Sequence, residues 1–236
     1  MRSCIPVFYI ALFFAPWNLS AQSDADALYR ERSIPGKAEA AADLWARQLA
    51  ANPADADAAW KLARAMYWAG THGPEPARRA ALERGIAAAQ QSAMLAPARP
   101  EGYFWTAANM GALAESFGLR QGLRYRGAIK EALETVLRID PAFQQGSADR
   151  ALGRWYHRVP RLFGGSRDKA EEHLRKSLTY NPNSTASRFF LAETLFELGR
   201  APEARQELEK VIAAPLDPEW EPEDRDFKDQ ARRRLN

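Results

Sequence analysis

The sequence predicts an all-α array of about five helix pairs closed by a C-terminal capping helix. Three observations carry this expectation. Four prolines stand in one context, in "LAANP" at Pro53, "MLAP" at Pro97, "RIDP" at Pro141 and "TYNP" at Pro182, and are spaced 44, 44 and 41 residues apart. Each closes an Ala/Leu-rich stretch of helical period and is followed within a few residues by another such stretch. Proline lacks an amide donor and disfavours helix in the residue before it, so each proline ends one helix and precedes the next.

The last unit shows what the period means. "NPNSTASRFFLAETLFELGRAPEARQELEKVIAAP" places Leu191, Ala192 and Leu195 on a first helix and Gly199 at the turn. Ala204, Leu208 and Val211 follow on a second helix. Small residues let the helices approach closely, and the leucines supply the apolar stripe between them. This pattern resembles the tetratricopeptide repeat, a helix–turn–helix unit of about 34 residues.

The other units fit the same template. Leu28, Gly36, Ala41 and Leu49 mark the first unit. Leu62, Ala63, Met66 and Gly70, then Gly85, Ala89 and Ser92, mark the second. Between Gly70 and Gly85, and again around "ESFGLRQGLRYRG", the chain exceeds the template, so the central units are expected to have longer helices or projecting turns. In the fourth unit Leu152, Gly153 and Tyr156 precede Ala170, Leu174 and Ser177. The "HRVPRLFGG" between them reads as an enlarged elbow: Pro160 breaks a helix, Gly164 and Gly165 allow unusual backbone angles, and Ser166 caps the next helix. A phosphate-cradling loop needs Lys-Ser/Thr directly after its glycines, whereas Ser166-Arg167-Asp168 follow here.

The N-terminus differs in kind. Arg2, the largely apolar run Ile5 to Ala15 and the small and polar residues up to Ala21 have the layout of a secretory signal. The expectation is therefore a signal peptide at 1–21 and a helical-repeat domain at 22–236, exported to the periplasm, with an uncleaved N-terminal membrane anchor as the alternative. The only cysteine, Cys4, lies inside this segment, so the mature chain would have no disulfide and no thiol chemistry.

Charge and chemistry narrow the function. The net charge is +3 with acidic and basic residues interleaved, which speaks against a nucleic-acid binder. His72, His157 and His173 stand at unrelated spacings without cysteine partners, so no metal site is expected. Asn183-Ser184-Thr185 matches a glycosylation acceptor formally but reads as a turn and helix cap after Pro182. With no nucleophile elbow, nucleotide loop or paired catalytic motif, the expectation is no enzyme and no cofactor.

Aromatic residues concentrate on the first helices of the units, which in stacked arrays line the concave face. Most of these rings should be core; the remainder would give an aromatic groove of the kind that takes peptides or small ligands. The expected groove residues are Trp60 with Arg64, Trp105 with Asn109, and Arg154 with His157, each pair spaced to share one helical face.

Three stretches carry a further resemblance. "GYFWTAANMGALAESFGL", the block "DRALGRWYHRVPRLFGGSRDKAEEHLRKSLTYNP" and the final "APLDPEW" resemble the T-component proteins of tripartite ATP-independent periplasmic (TRAP) transporters over about residues 100–220. The most specific element runs from Leu152 to Gly165. The resemblance implies a periplasmic helical-repeat accessory of solute uptake, assembling as a homotrimer. It also implies a periplasmic solute-binding protein of a transporter as partner, and a small organic ligand in a groove or pore. Many members are lipoproteins, whereas Cys4 lacks the preceding apolar run of a lipid-attachment site. The alternative is a general exported scaffold that grips peptide segments of envelope proteins.

Overall fold

The computed structural model describes residues 17–236, with side chains from Asp24 onward except that of Leu119. The leader-like residues Arg2, Cys4 and Ile5 to Ala15 lie outside the described residues. The described chain forms helix pairs α1 (Trp17–Arg30) with α2 (Lys37–Ala51), α3 (Ala56–His72) with α4 (Glu75–Leu95), and α5 (Glu101–Ser116) with α6 (Leu119–Ile139). Then come α7 (Phe143–Arg158) with α8 (Arg167–Tyr180), α9 (Thr185–Glu197) with α10 (Ala201–Ala213), and a single α11 (Glu221–Leu235). Among the described residues there is no strand, and the expected fold class is the observed one. α1 runs through the Ala21–Gln22 bond expected to be cleaved.

Local chemistry sets the helix boundaries. Asp55, Ser166 and Ser184 accept hydrogen bonds from backbone N–H groups at the starts of α3, α8 and α9. Pro76, Pro202 and Pro222 occupy first-turn positions of α4, α10 and α11, where the missing N–H is not needed. The surplus length of the central units goes into helix rather than loop. α4 and α6 each run 21 residues against 15, 14 and 13 for α2, α8 and α10, and only Gly73 and Pro74 separate α3 from α4.

The elbow between α7 and α8 is a short 3-10 turn, Arg161–Phe163. Gly164 follows at φ 103°, and a Cβ on Gly165 would fall 1.7 Å from the Val159 carbonyl oxygen, so only glycine fits there. The backbone N–H of Ser166 donates to the Tyr156 carbonyl, folding the elbow back on α7.

The core divides in two. One apolar cluster runs from Ala25 through Trp45, Leu82, Leu113 and Leu133 to Tyr156 and Ala170. A second, from Leu174 through Leu191, Leu195 and Leu208 to Ala231, holds the last unit and α11. Where α8 meets α9, Ser177, Ser184 and Ser187 form a buried polar seam with hydroxyl hydrogen bonds of 2.9 Å. With each hydroxyl partnered, the seam carries no unsatisfied serine.

One contact joins the first unit to the last helix. The buried Arg32, just after α1, donates from Nε to Glu223 Oε1 (3.0 Å) and from Nη2 to the Glu219 carbonyl (2.7 Å). Its guanidinium also lies over the rings of Tyr29 and Trp68. Burial opposes its charge, but the Glu223 hydrogen bond and field outweigh that and hold its pKa above the ordinary arginine value.

Candidate functional site

The first helices α3, α5, α7 and α9 turn one side inward and, with α6 and α11, enclose a cavity of about 1110 Å³. Rings stand along its wall, Tyr67, Phe104, Trp105, Trp155, Phe190 and Phe227 among others. Small residues of α5 (Ala108, Gly111, Ala112) open its floor. A Cβ on Gly111 would meet no atom within 4 Å, so this glycine faces empty space.

Of the six residues expected in the groove, the structure places Trp105 and Arg154 on the cavity wall and the other four elsewhere. Trp60 packs against the core, with its indole N–H donating to Asp57 Oδ1 at 2.9 Å. Arg64 is tied to Asp26 (3.5 Å) and lies over the Tyr29 ring, 4.0 Å from its centroid. Asn109 is fully buried: its Nδ2 donates to the carbonyls of Ala63 (3.1 Å) and Trp105 (2.8 Å), so it braces α5 against α3. His157 is buried against α9, beside Thr194 and Glu197. Its spacing from Arg154 was right for one face, but that face divides between the cavity and the packing against α9.

His157 has a polar neighbour at each ring nitrogen. Its Nδ1 lies 3.1 Å from the Thr194 hydroxyl, which also stands 2.9 Å from the Phe190 carbonyl oxygen. Its Nε2 stands 3.4 Å from Glu197. Burial pulls the His157 pKa down, Glu197 opposes this, and Arg167 and Arg154 reinforce it.

Arg154 lines the cavity but is already paired. It donates to Glu115 (3.0 Å from Nε) and to Glu193, which also receives Arg234 at 2.7 Å. Glu115, Arg154, Glu193 and Arg234 thus link α5, α7, α9 and α11 in one chain of ion pairs. Burial works against the Arg154 charge, while Glu115 and Glu193 more than offset it.

The residue that sequence reasoning missed is Arg150, four positions before Arg154 and on the same helical face. It lines the cavity, and among the described residues it has no hydrogen-bond or ion-pair partner. Burial lowers its pKa, partly countered by Tyr67 and Asp224. Asp224 is committed elsewhere, accepting from the Thr185 hydroxyl and from the Asp217 backbone N–H at 2.8 Å. The i, i+4 relation to Arg154 was the signal that could have found Arg150.

Two further groups on the wall have no partner among the described residues: the indole N–H of Trp105, 3% exposed, and the buried Gln144 Oε1. Gln144 sits in a stretch of left-handed backbone, with φ 44° at Gln144, 58° at Gln145 and 78° at Gly146. Two consecutive non-glycine residues in that region are strained, and the turn delivers Gln144 to the cavity. Away from the cavity, Asp149 Oδ1 and His173 Nδ1 lie 2.7 Å apart, but the histidine ring stacks on Tyr156. Among the described residues no cluster of His, Cys, Asp and Glu could hold a metal ion.

Comparison with known proteins agrees with this architecture. The family model described as "Regulator of microtubule dynamics protein 1-3" matches residues 22–236. No curated sequence matches the chain. Among solved structures, a thermophilic TPR protein of Thermus thermophilus superposes with a TM-score of 0.68 at 23% identity, covering 91% of this chain and 98% of that one. The 41-end portion of MamA from Desulfovibrio magneticus gives a TM-score of 0.54 at 15% identity, over 82% and 94% of the two chains. Both likenesses are of fold.

Proposed function

The chain belongs to the regulator of microtubule dynamics protein 1-3 family, and from that premise we propose that it is a non-enzymatic interaction scaffold whose concave cavity receives a segment of a partner protein. The observation that carries the reading is the cavity itself: about 1110 Å³, walled by aromatic rings and floored by small residues on the inner helices. Stacked helix pairs use this face for binding, and aromatic walls with a few polar groups suit a peptide. The chemistry on the wall favours binding over turnover, because its charged groups other than Arg150 are engaged in pairs or packing rather than set against a nucleophile.

Gly111→Trp tests this reading. The Cβ of the new side chain meets no atom within 4 Å and leads into the cavity, so the variant should fold as the parent does. Partners cross-linked to the parent in its own cell should then be lost. A folded Gly111→Trp chain that keeps all of them would sink the groove reading.

A second reading retains the accessory of solute uptake, with a periplasmic solute-binding protein as partner. The Leu152 to Gly165 block and a cavity large enough for a small organic solute favour it. It predicts that a solute receptor co-purifies with the chain; recovery of partners without any such receptor counts against it. The export proposed with it rests on the Arg2, Ile5 to Ala15 and Ala21 layout. An intact mass that retains residues 1–21 would favour the anchor instead.

A further inference from the structure

We propose that the elbow between α7 and α8 docks on an anionic membrane surface, with Leu162 and Phe163 entering the bilayer and the cations around them meeting lipid headgroups. The proposal does not use the cavity and stands apart from the groove reading above.

Two stretches of the chain break the interleaving of charge. Residues 116–130 carry four cations and no acid, and residues 150–167 carry five arginines and no acid. The fold brings these stretches together. The Trp155 indole N–H donates to the Arg126 carbonyl at 2.9 Å, and the Arg126 guanidinium lies 5.7 Å from the Phe163 ring centre. Lys130 of α6 and Lys169 of α8 both approach the Tyr156 ring, at 5.6 and 5.5 Å. Glu115 and Glu197, the acids that reach this end of α7, are held by Arg154 and Arg167. Asp168 sits in the first turn of α8, where it meets the positive end of that helix. Arg126 and Arg161 are exposed and make no ion pair among the described residues.

Among these cations stands an apolar tip. Leu162 is 87% exposed, more than any other large apolar side chain among the described residues, and Phe163 beside it is 38% exposed. A single exposed leucine needs no explanation, but this one is held out by a fixed turn. The Phe163 N–H donates to the Pro160 carbonyl at 2.9 Å, and the Gly164 N–H to the Arg161 carbonyl at 3.1 Å. The tip is therefore preformed, and docking orders no loop. A bilayer offers an apolar interior directly beneath a negatively charged surface, which matches both halves of the patch. Arg126 and Arg161 can keep their guanidinium groups at the headgroups while their stems follow Leu162 inward. An acidic protein segment would match the cations but leave Leu162 in water.

The test uses the full chain with Cys4→Ser, which removes the only thiol, and one new thiol from Leu162→Cys or, as a control at the end of α4, from Met94→Cys. The two sites are 87% and 76% exposed, so each variant should fold, which circular dichroism checks. The thiol carries the polarity-sensitive fluorophore NBD. Vesicles of equal parts phosphatidylcholine and phosphatidylglycerol should shift the emission of the label at 162 to the blue and leave that at 94 unchanged. Vesicles of phosphatidylcholine alone should shift neither. Arg126→Gln and Arg161→Gln, made separately in the 162-labelled chain, should each raise the half-saturating lipid concentration about fivefold, the effect of one cation near an anionic surface. No shift at 162, equal shifts at 162 and 94, equal shifts with both vesicles, or half-saturation unmoved by either arginine variant overturns the proposal. A shift that needs no lipid and grows with protein concentration also overturns it and makes a second copy of the chain the occupant. So does a shift that soluble polyglutamate produces as well, which makes an acidic protein the occupant. Because each label reports its own surroundings, a leader that enters the bilayer by itself does not reproduce the expected pattern.

Discussion

Gly153 of α7 and Leu174 of α8 approach so closely that a methyl group on the glycine would lie 2.5 Å from Leu174 Cγ. The same relationship recurs two units earlier, where a methyl on Gly70 of α3 would lie 2.4 Å from Leu82 Cγ of α4. In each pair the glycine is the notch that lets the second helix seat its leucine fully inside. Gly153→Ala should therefore cost about 1–3 kcal/mol by overpacking, despite the better helix propensity of alanine. Leu174→Ala alone should cost about 2–5 kcal/mol. In the Leu174→Ala background, adding Gly153→Ala should be neutral or stabilising, and urea unfolding of the four chains measures that coupling. Simple additivity would show that the notch does not govern the contact.

Alkaline pH should expose a second dependence. Burial raises the phenol pKa of Tyr29 and of Tyr67 to about 12. The unfolded chain ionises these rings near pH 10, so their stabilising contribution is complete below pH 10 and is lost as pH rises towards 12. The size is about 3 kcal/mol for a shift of this extent at the 6% exposed Tyr29. Tyr29→Phe should flatten the decline of thermal midpoint above pH 10. A parent and a Phe variant that decline in parallel would contradict it.

His157 should respond in the opposite sense. Its folded pKa lies below the ordinary imidazole value, so its contribution is present above about pH 6.5 and is lost as pH falls through the folded value. Nitrogen-15 NMR should find a mostly neutral ring at pH 6.5. A ring already protonated at that pH would show that the Glu197 attraction overrides burial.

How much of this was legible in the sequence follows from what each signal encodes. Pro53, Pro97, Pro141 and Pro182 mark the same break in every unit because proline acts on the backbone, whatever packs around it. Ser166 and Ser184 act as caps for the same reason. The cavity was harder to read. Spacing puts Arg154 and His157 on one side of α7, but a helix in an array packs on several sides, and only tertiary contacts decide which part of a side faces open space. Asn109 is the clear case: a polar residue on an inner helix looked like groove chemistry, yet its amide serves the carbonyls of Ala63 and Trp105. Arg32 and Gln144 carry no local signal, since one depends on a partner 191 residues away and the other on a left-handed turn.

The Arg32 contact with Glu223 and Glu219 changes how the array should come apart. Repeat arrays behave as one-dimensional chains in which each unit senses only its neighbours, so their ends open first and opening spreads inward. Here the first unit and the last helix hold each other, and neither end is free to open alone. Releasing α11 uncovers the Arg32 charge, and loosening the first unit deprives Glu223 of its partner. Amides in the first unit and in α11 should thus exchange with solvent together, in one shared opening, rather than as two independent fraying ends. A molecule entering the cavity meets a closed circuit, and the Arg32–Glu223 junction is the clasp that closes it.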